Sequence, residues 1–306
     1  MKRAIVTGAT GTIGVALVKV LLEADLEVLA IVNPLSTRVD RLPEHEHLHI
    51  MKHSIHDISN IQKDEIGAYD AFFHLAWTGT IGPERDDMSL QLRNVQDTLD
   101  AVDLAARVGC QVFVGAGSQA EYGRVEGKIQ GSTPANPEMG YGIAKLCAGQ
   151  MSRVLCQRYE MRHIWTRILS VYGPYDGEKT MIISGIRQML RGETPEFSRG
   201  EQLWDYLYCE DAARAIYMAG VKGRDGATYP IGSGKARPLH EYIEIMRRTV
   251  GKQARVNMGA LPYRPQQVMY LCADIEELSK DTGFLPKIAF DEGIRHTVEW
   301  CRRTQE

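Results

Sequence analysis

Nowhere in this 306-residue chain does an apolar run approach the roughly 18 residues that a membrane-spanning helix requires. The N-terminal MKRAIVTGATG passes straight into a strand-and-turn pattern, without the apolar core or small-residue cleavage site of a signal peptide. Cysteine is sparse: six residues, at 110, 147, 156, 209, 272 and 301, with no C-x-x-C pair. That scatter argues against a disulfide framework and suits reduced thiols in a cytoplasmic protein. An excess of one charge is lacking too. The 36 Lys and Arg against 39 Asp and Glu give a formal −3, with no basic block. Neither nucleic acid nor an anionic membrane is therefore expected as a partner. What is present is an ordinary soluble mixture, 44% apolar and 25% charged, long enough for one large α/β domain or two intimate ones.

Strand-like and helix-like stretches alternate in the first half. AIVTG, EVLAIVN, DAFFHLAW, CQVFVGAG and HIWTRIL read as buried strands. Between them Ile13, Leu17, Leu21 and Ala24 recur at helical spacing, and Leu92, Val95, Leu99, Val102 and Ala106 do so up to Gly109. A further helix is expected from about Tyr141 to Tyr159. Near-continuous apolar strands alternating with helices predict an α/β fold, a doubly wound Rossmann-type parallel sheet covered on both faces. After Gly173-Pro174 the rhythm changes: MIISGIRQMLR and LHEYIEIMRRTVG look helical, but the strands between them are short. We expect a dinucleotide-binding domain over 1–173, to which 204–233 returns. Residues 174–203 and 234–306 are expected to form a smaller mixed α/β substrate-binding part at the C-terminal side.

TGATGTIG sets Gly8, Gly11 and Gly14 at G-x-x-G-x-x-G spacing between the first strand and the first helix. Glycines there allow a tight turn, and the helix N-terminus offers free N–H groups and a positive dipole end to a pyrophosphate. Thr10, Thr12 and Ile13 belong to the same turn. Recognition of the ribose reads differently. A free 2′-hydroxyl usually meets an Asp or Glu about 20 residues past the glycines. The second strand here ends in Asn33, followed by Pro34, Ser36 and Arg38. Arg38 with Ser36 suits a 2′-phosphate, so NADP(H) is favoured; NAD(H), with Asn33 on the ribose, is the alternative.

Y-x-x-x-K occurs as Tyr141/Lys145 and as Tyr175/Lys179. The second lies among Gly and Pro. The first opens a helix, where residues four apart share a face. A cation held beside a phenol is expected to lower its pKa, so that Tyr141 can exchange a proton with a carbonyl or alcohol while hydride moves to or from nicotinamide. Ser118, in GAGSQAEYG, follows an apolar strand on a glycine-rich turn. In a parallel sheet its hydroxyl lies along the edge where ligands bind.

These motifs together resemble the extended short-chain dehydrogenase/reductases, the NAD(P)-dependent nucleotide-sugar epimerase/dehydratase/4-ketoreductase family. The resemblance extends through HDI, FHLAW, LRNV, YGIAK, RILSVYGP, WDYLYCEDAARA and the C-terminal FDEGIRHTVEW. It implies Ser118, Tyr141 and Lys145 as the catalytic set, with Tyr141 and Lys145 also touching the cofactor. Asp57 and Ile58 would lie near the adenine, and Leu75, Ala76 and Trp77 along the cofactor. Thr78, Ser118 and Gln119 would face the sugar, with Arg264 at the diphosphate of a nucleotide-diphosphate sugar. Two positions depart from the family pattern: Ser170 replaces an Asn and Trp204 replaces an Arg, both at substrate-contacting places.

The residues after Ser118 narrow the reaction. Sugar 4,6-dehydratases of the family carry Asp-Glu there, and epimerase-reductases resembling GDP-fucose synthase carry a Cys two residues on. This chain has Gln119 and Ala120. What remains is hydride transfer at C4: an NADPH-dependent 4-keto-6-deoxyhexose reductase, favoured, or an NAD-dependent nucleotide-sugar 4-epimerase. A non-catalytic NADP(H)-binding sensor is the reading of another class. The crowding of His45, His47, His49, His53 and His56 is read as a wet strand face, so no metal is expected. Relatives often pair the helices of Leu92–Ala106 and Tyr141–Tyr159 across a two-fold axis, which implies a homodimer.

Overall fold

Apolar residues alternate between two faces along each short strand, so both sides of the sheet must be covered. In the computed structural model, which describes residues 1–263 and 267–304, they are. The first half runs β1 (Arg3–Thr7), α1 (Thr12–Glu23), β2 (Glu27–Val32), β3 (Leu48–Lys52), α2 (Lys63–Ile66), β4 (Ala71–His74), α3 (Met88–Arg107), β5 (Val112–Ser118), α4 (Gly140–Arg158) and β6 (Arg162–Ile168). The second half begins with β7 (Ser170–Tyr172), α5 (Met181–Leu190), β8 (Glu196–Phe197), β9 (Leu203–Trp204), β10 (Tyr206–Tyr208) and α6 (Cys209–Lys222). It continues through β11 (Ala227–Ile231), β12 (Arg237–Pro238), α7 (Leu239–Val250), β13 (Asn257–Met258), β14 (Tyr270–Leu271), α8 (Glu276–Thr282) and α9 (Phe290–Arg303).

Seven strands form one sheet in the order β11-β6-β5-β4-β1-β2-β3, every neighbouring pair parallel. The architecture is the doubly wound α/β sheet that the alternation predicts. Ala4 and Val6 of β1 face a core shared with α1 and α6, whereas Ile5 faces the core under α3, with Phe72, Phe113 and Val102. Each of the Val, Ile and Phe side chains taken fully out of water contributes about 1.5–3 kcal/mol. The chain order reverses between β1 and β4, which opens a crevice at the C-terminal ends of the strands. Of the five crowded histidines only His49 lies within a strand, the edge strand β3, where it and Lys52 are exposed; His45 and His47 precede the strand and His53 and His56 follow it. Charged and polar side chains there discourage pairing with another sheet.

β11 joins the large sheet, and α6 packs against α1 on one of its faces. The remaining strands are too short to show in hydrophobic periodicity: β7 pairs with β10, β12 and β14 flank β9, and β13 pairs with β8. Aromatic contacts join these pieces, with Phe290 of α9 lying 4.9 Å from Tyr172 and 4.5 Å from Tyr242, ring centre to ring centre. Buried Asp205 ties the ends together by accepting the N–H groups of Ser233 (2.8 Å), Gly234 (3.1 Å) and Ala273 (3.0 Å). No helix of the described residues is long and apolar enough to cross a membrane.

Candidate active site

The crevice begins at the turn after β1. Gly8 holds φ at 70°, and a Cβ there would lie 2.7 Å from the Ala76 nitrogen. A Cβ on Gly14 would run into the Gly8 carbonyl, so both positions require glycine. Gly11 caps α1 with no side-chain bond of its own, leaving the first N–H groups of the helix facing the crevice. A cleft of about 350 Å³ runs from Gly8, Gly11, Thr12, Ile13 and Gly14 past Leu75 and Trp77 to Ser118, Tyr141 and Lys145. A turn without room for a Cβ, followed by a helix dipole, fits the pyrophosphate of a dinucleotide, and the cleft is long enough to lead from it to the serine.

The Ser118 hydroxyl lies close enough to the Tyr141 phenol to pull its pKa down. Lys145, 3% exposed, donates to the Ala116 carbonyl at 2.6 Å and lies 3.7 Å from the centre of the Trp77 ring. Burial lowers the Lys145 ammonium to about 7, and the nearby Glu121 carboxylate opposes that shift. The expected lowering of Tyr141 by Lys145 is not what the structure has. Burial raises the Tyr141 phenol, and the influences that pull it back down are the Ser118 hydroxyl and the Arg85 charge. Lys145 points at the face of Trp77 and the β5 backbone, with its nitrogen 5.9 Å from the Tyr141 ring centre. In the free cleft, desolvation outweighs the i,i+4 pairing.

The glycines before Ser118 also need correction. GAG is no turn: Gly115 and Gly117 lie inside β5, which runs on to Ser118, and a 3-10 turn over Gln119–Glu121 follows. A Cβ at Gly115 or Gly117 would run into the indole of Trp165, and one at Gly149 would lie 2.6 Å from it. Three glycines thus form the slot that the Trp165 ring fills. The Trp165 N–H donates to both Glu121 oxygens, at 3.0 and 3.1 Å. Oε1 of Glu121 accepts the Ser118 N–H at 2.7 Å, and Oε2 accepts Arg167 Nε at 2.6 Å. Glu121 and Arg167 are 0% and 5% exposed, so this is a buried ion pair directly beside Ser118, whose N–H it holds. Sequence reasoning missed it. The one available signal was a carboxylate three residues after Ser118, where the capping-box spacing S-x-x-E predicts contact with the serine N–H.

His74, matched only as part of FHLAW, is also buried. Its Nδ1 lies 2.9 Å from Thr7 Oγ1, and its Nε2 lies 3.3 Å from Thr98 Oγ1. Burial, helped by the Lys145 charge, pushes it down to about 3, so it is neutral at physiological pH. Asp176 was likewise missed. It lines the dinucleotide cleft, accepts from Gly177 N–H and Thr180 Oγ1, and is raised by burial to about 6.

Other expected contacts are spread more widely. Asn33 and Arg38 are exposed on the loop after β2. Asn33 Oδ1 accepts the Leu35 N–H at 2.9 Å, and Ser36 Oγ accepts the Arg38 N–H at 3.2 Å. Arg41, not foreseen, reaches the phosphate turn and donates to the Thr10 carbonyl at 3.2 Å. Asp57 and Ile58 sit in a 3-10 turn that lies off the cleft lining, and the Ile58 side chain is wholly buried in the core, leaving only its main chain for a ligand. Ala76 packs against Gly8, and its N–H reaches Thr7 Oγ1 at 3.4 Å. Thr78 is exposed and bracketed by Asn94.

Beyond Ser118 a wider cleft of about 790 Å³ contains Gln119, Ala120 and Trp204. Trp204 also borders a third cleft of about 500 Å³ against α5 and α7. The two departures from the family pattern meet here, because the Trp204 N–H donates to Ser170 Oγ at 2.7 Å. Arg264 lies outside the described residues. Among the described residues, no group of three or more His, Cys, Asp or Glu side chains is placed to hold a metal ion.

A family model described as the NAD dependent epimerase/dehydratase family matches residues 4–232. Among curated proteins, a dTDP-glucose 4,6-dehydratase of Shigella flexneri is 29% identical over 176 residues, covering 55% of this chain and 49% of its own. The chain thus spans about half the length of that relative. Among solved structures, UDP-glucose 4-epimerase of Thermotoga maritima superposes with a TM-score of 0.87 at 24% identity, over 99% of this chain and 100% of its own. MoeE5, in complex with UDP-glucose and NAD, superposes with a TM-score of 0.84 at 25% identity, over 99% and 100% of the two chains.

Proposed function

The chain belongs to the NAD dependent epimerase/dehydratase family, and from that premise we propose that it is an enzyme of hydride transfer at C4 of a nucleotide-diphosphate sugar. The observation that carries this reading is the convergence of Ser118, Tyr141 and Lys145 at the far end of the cleft that starts at the glycine turn. The residues of that cleft would hold a nicotinamide dinucleotide, which when bound supplies a hydride acceptor or donor. Tyr141 takes the C4 hydroxyl proton or returns one to a C4 ketone. Ser118 bonds the same oxygen and fixes its distance from the phenol. Lys145 carries the positive charge that favours the deprotonated phenol when it turns from Trp77 towards Tyr141. The substrate-binding part is assigned to 174–203 and 234–306.

The curated relative is a 4,6-dehydratase, but Gln119 and Ala120 offer no carboxyl acid or base for dehydration. Of the two hydride reactions, 4-epimerisation with NAD moves ahead. The similar solved structures include a 4-epimerase, and MoeE5 holds NAD. The 4-keto-6-deoxyhexose reductase using NADPH is kept as a second reading on one observation: Asn33 directly follows β2 in place of a carboxylate, with Arg38 and Arg41 in the loop beyond it.

The nucleotide retained by the purified protein separates these readings. Stoichiometric NAD that does not exchange is the outcome expected of the epimerase. Free exchange with tighter binding of NADPH moves the assignment to the reductase. A protein that neither retains nor binds a nicotinamide dinucleotide removes the whole reading.

A further inference from the structure

Among the described residues, the wide cleft beyond Ser118 carries two guanidinium groups, Arg85 and Arg124. Arg124 is neutralised by Glu138, which accepts its Nε–H at 2.9 and 3.1 Å. Arg85 is not neutralised. Among the described residues it has no ion-pair partner, and its Nε is buried without a hydrogen-bond acceptor. Of the carboxylates next to it in the chain, Glu84 is exposed and the other two are engaged elsewhere. Asp86 accepts the Gly140 N–H at the start of α4 (2.8 Å), and Asp87 caps α3 through the Leu90 N–H (3.1 Å).

The loop that carries Arg85 is built, not loose. Gln91, 1% exposed on α3, donates to the Gly79 and Glu84 carbonyls, both at 2.9 Å, and accepts the Trp77 N–H at the same distance. Buried Asn94 clasps Thr78 with bonds of 2.8 and 2.9 Å. On the other side, Gly140 leaves no space for a Cβ, which would lie 3.1 Å from the Arg85 carbonyl. These ties hold the guanidinium carbon 4.7 Å from the centre of the Tyr141 ring.

That position limits what Arg85 can meet. A hexopyranose offering C4 to Tyr141 directs C1 and its diphosphate to the opposite side of the ring. The group beside Arg85 is therefore a substituent of C3 or C5, not a phosphate. A partly desolvated guanidinium lacking a counter-ion is best satisfied by a planar anion that accepts two parallel N–H bonds. We infer that Arg85 selects a substrate with a carboxylate beside the reacting carbon, a nucleotide-diphosphate hexuronic acid. The inference rests on the C4 reading above and assigns the sugar class of that site.

Its test is calorimetry on NAD-loaded protein with two matched pairs, UDP-glucose against UDP-glucuronic acid and dTDP-glucose against dTDP-glucuronic acid. Within each pair only the group at C6 differs. The native protein is expected to bind the acid about tenfold to a hundredfold more tightly than its neutral partner in at least one pair. In Arg85→Met that ratio falls to near one, and in Arg85→Lys it is partly kept. A native ratio near one, a preference for the neutral sugar, or a ratio that Arg85→Met leaves unchanged overturns the inference alone. Failure of all four sugars to bind removes the nucleotide-sugar reading itself, and this inference with it. The native ratio decides even if Arg85→Met does not fold.

Discussion

Tyr141→Phe is expected to lower kcat on a nucleotide sugar by about 10²–10⁴-fold, the range contributed by a positioned general acid or base. The substitution removes one oxygen, together with its interaction with the Ser118 hydroxyl, and leaves the ring that packs against Trp77 and Arg85. Folding and dinucleotide binding should therefore persist, which circular dichroism and dinucleotide titration would verify. Persistent turnover in the variant would show that the phenol is not the proton carrier. A native protein that binds the dinucleotide yet turns over no nucleotide sugar would instead favour the sensor reading. The magnitude matters because burial raises the Tyr141 phenol in the free cleft. The cation needed to favour its deprotonation has to be brought into place with the ligands, and Lys145, near neutrality at about 7, is the group that can supply it.

Glu121→Gln should be the most damaging single change to stability near the site. It removes the anion from a buried pair and leaves the Arg167 guanidinium, 5% exposed, without a counter-charge. Breaking such a pair costs about 3–5 kcal/mol, far more than a surface ion pair contributes. Denaturant unfolding of native and variant protein measures it. The Ser118 N–H would lose its charged acceptor as well, so activity should fall with stability. Glu121→Leu combined with Arg167→Met should recover much of the stability, because removing both charges leaves neither uncompensated. A loss below about 1 kcal/mol in Glu121→Gln would mean that Arg167 finds another partner or water.

Features governed by neighbours in the chain were legible in the sequence. The glycine turn needs φ near 70° at Gly8 and a missing side chain at Gly14, both demands of a local strand-to-helix turn. Tyr141 and Lys145 lie one helical turn apart, so their shared helix followed from spacing. The alternation of apolar runs gave the parallel sheet. The helices expected at Ile13–Ala24 and Tyr141–Tyr159 lie within one residue of α1 and α4, whereas α3 begins at Met88, four residues before Leu92.

What escaped depends on residues far apart. GAG before Ser118 reads as a turn because glycine usually marks one. Its cause is the Trp165 indole, which arrives from the next strand of the sheet and needs the Cβ space. The role of Glu121 depends on Arg167, 46 residues later, which only the fold brings against it. The two-residue strands β8, β9, β12, β13 and β14 carry no period at all. The direction of the Tyr141 shift failed for a related reason: i,i+4 spacing predicts a nearby cation, but desolvation depends on everything packed around the phenol.

The most direct test of the central claim is to follow the hydrogen on C4. Native protein, loaded with its dinucleotide, is mixed with UDP-glucose or UDP-glucuronic acid deuterated at C4, quenched with alkali within one turnover to preserve the reduced cofactor, and the recovered cofactor is analysed by mass spectrometry. Hydride chemistry at C4 predicts deuterium on the nicotinamide ring of the native protein and little or none with Tyr141→Phe. Loss of the C4 deuterium to water, with none in the cofactor, would contradict it.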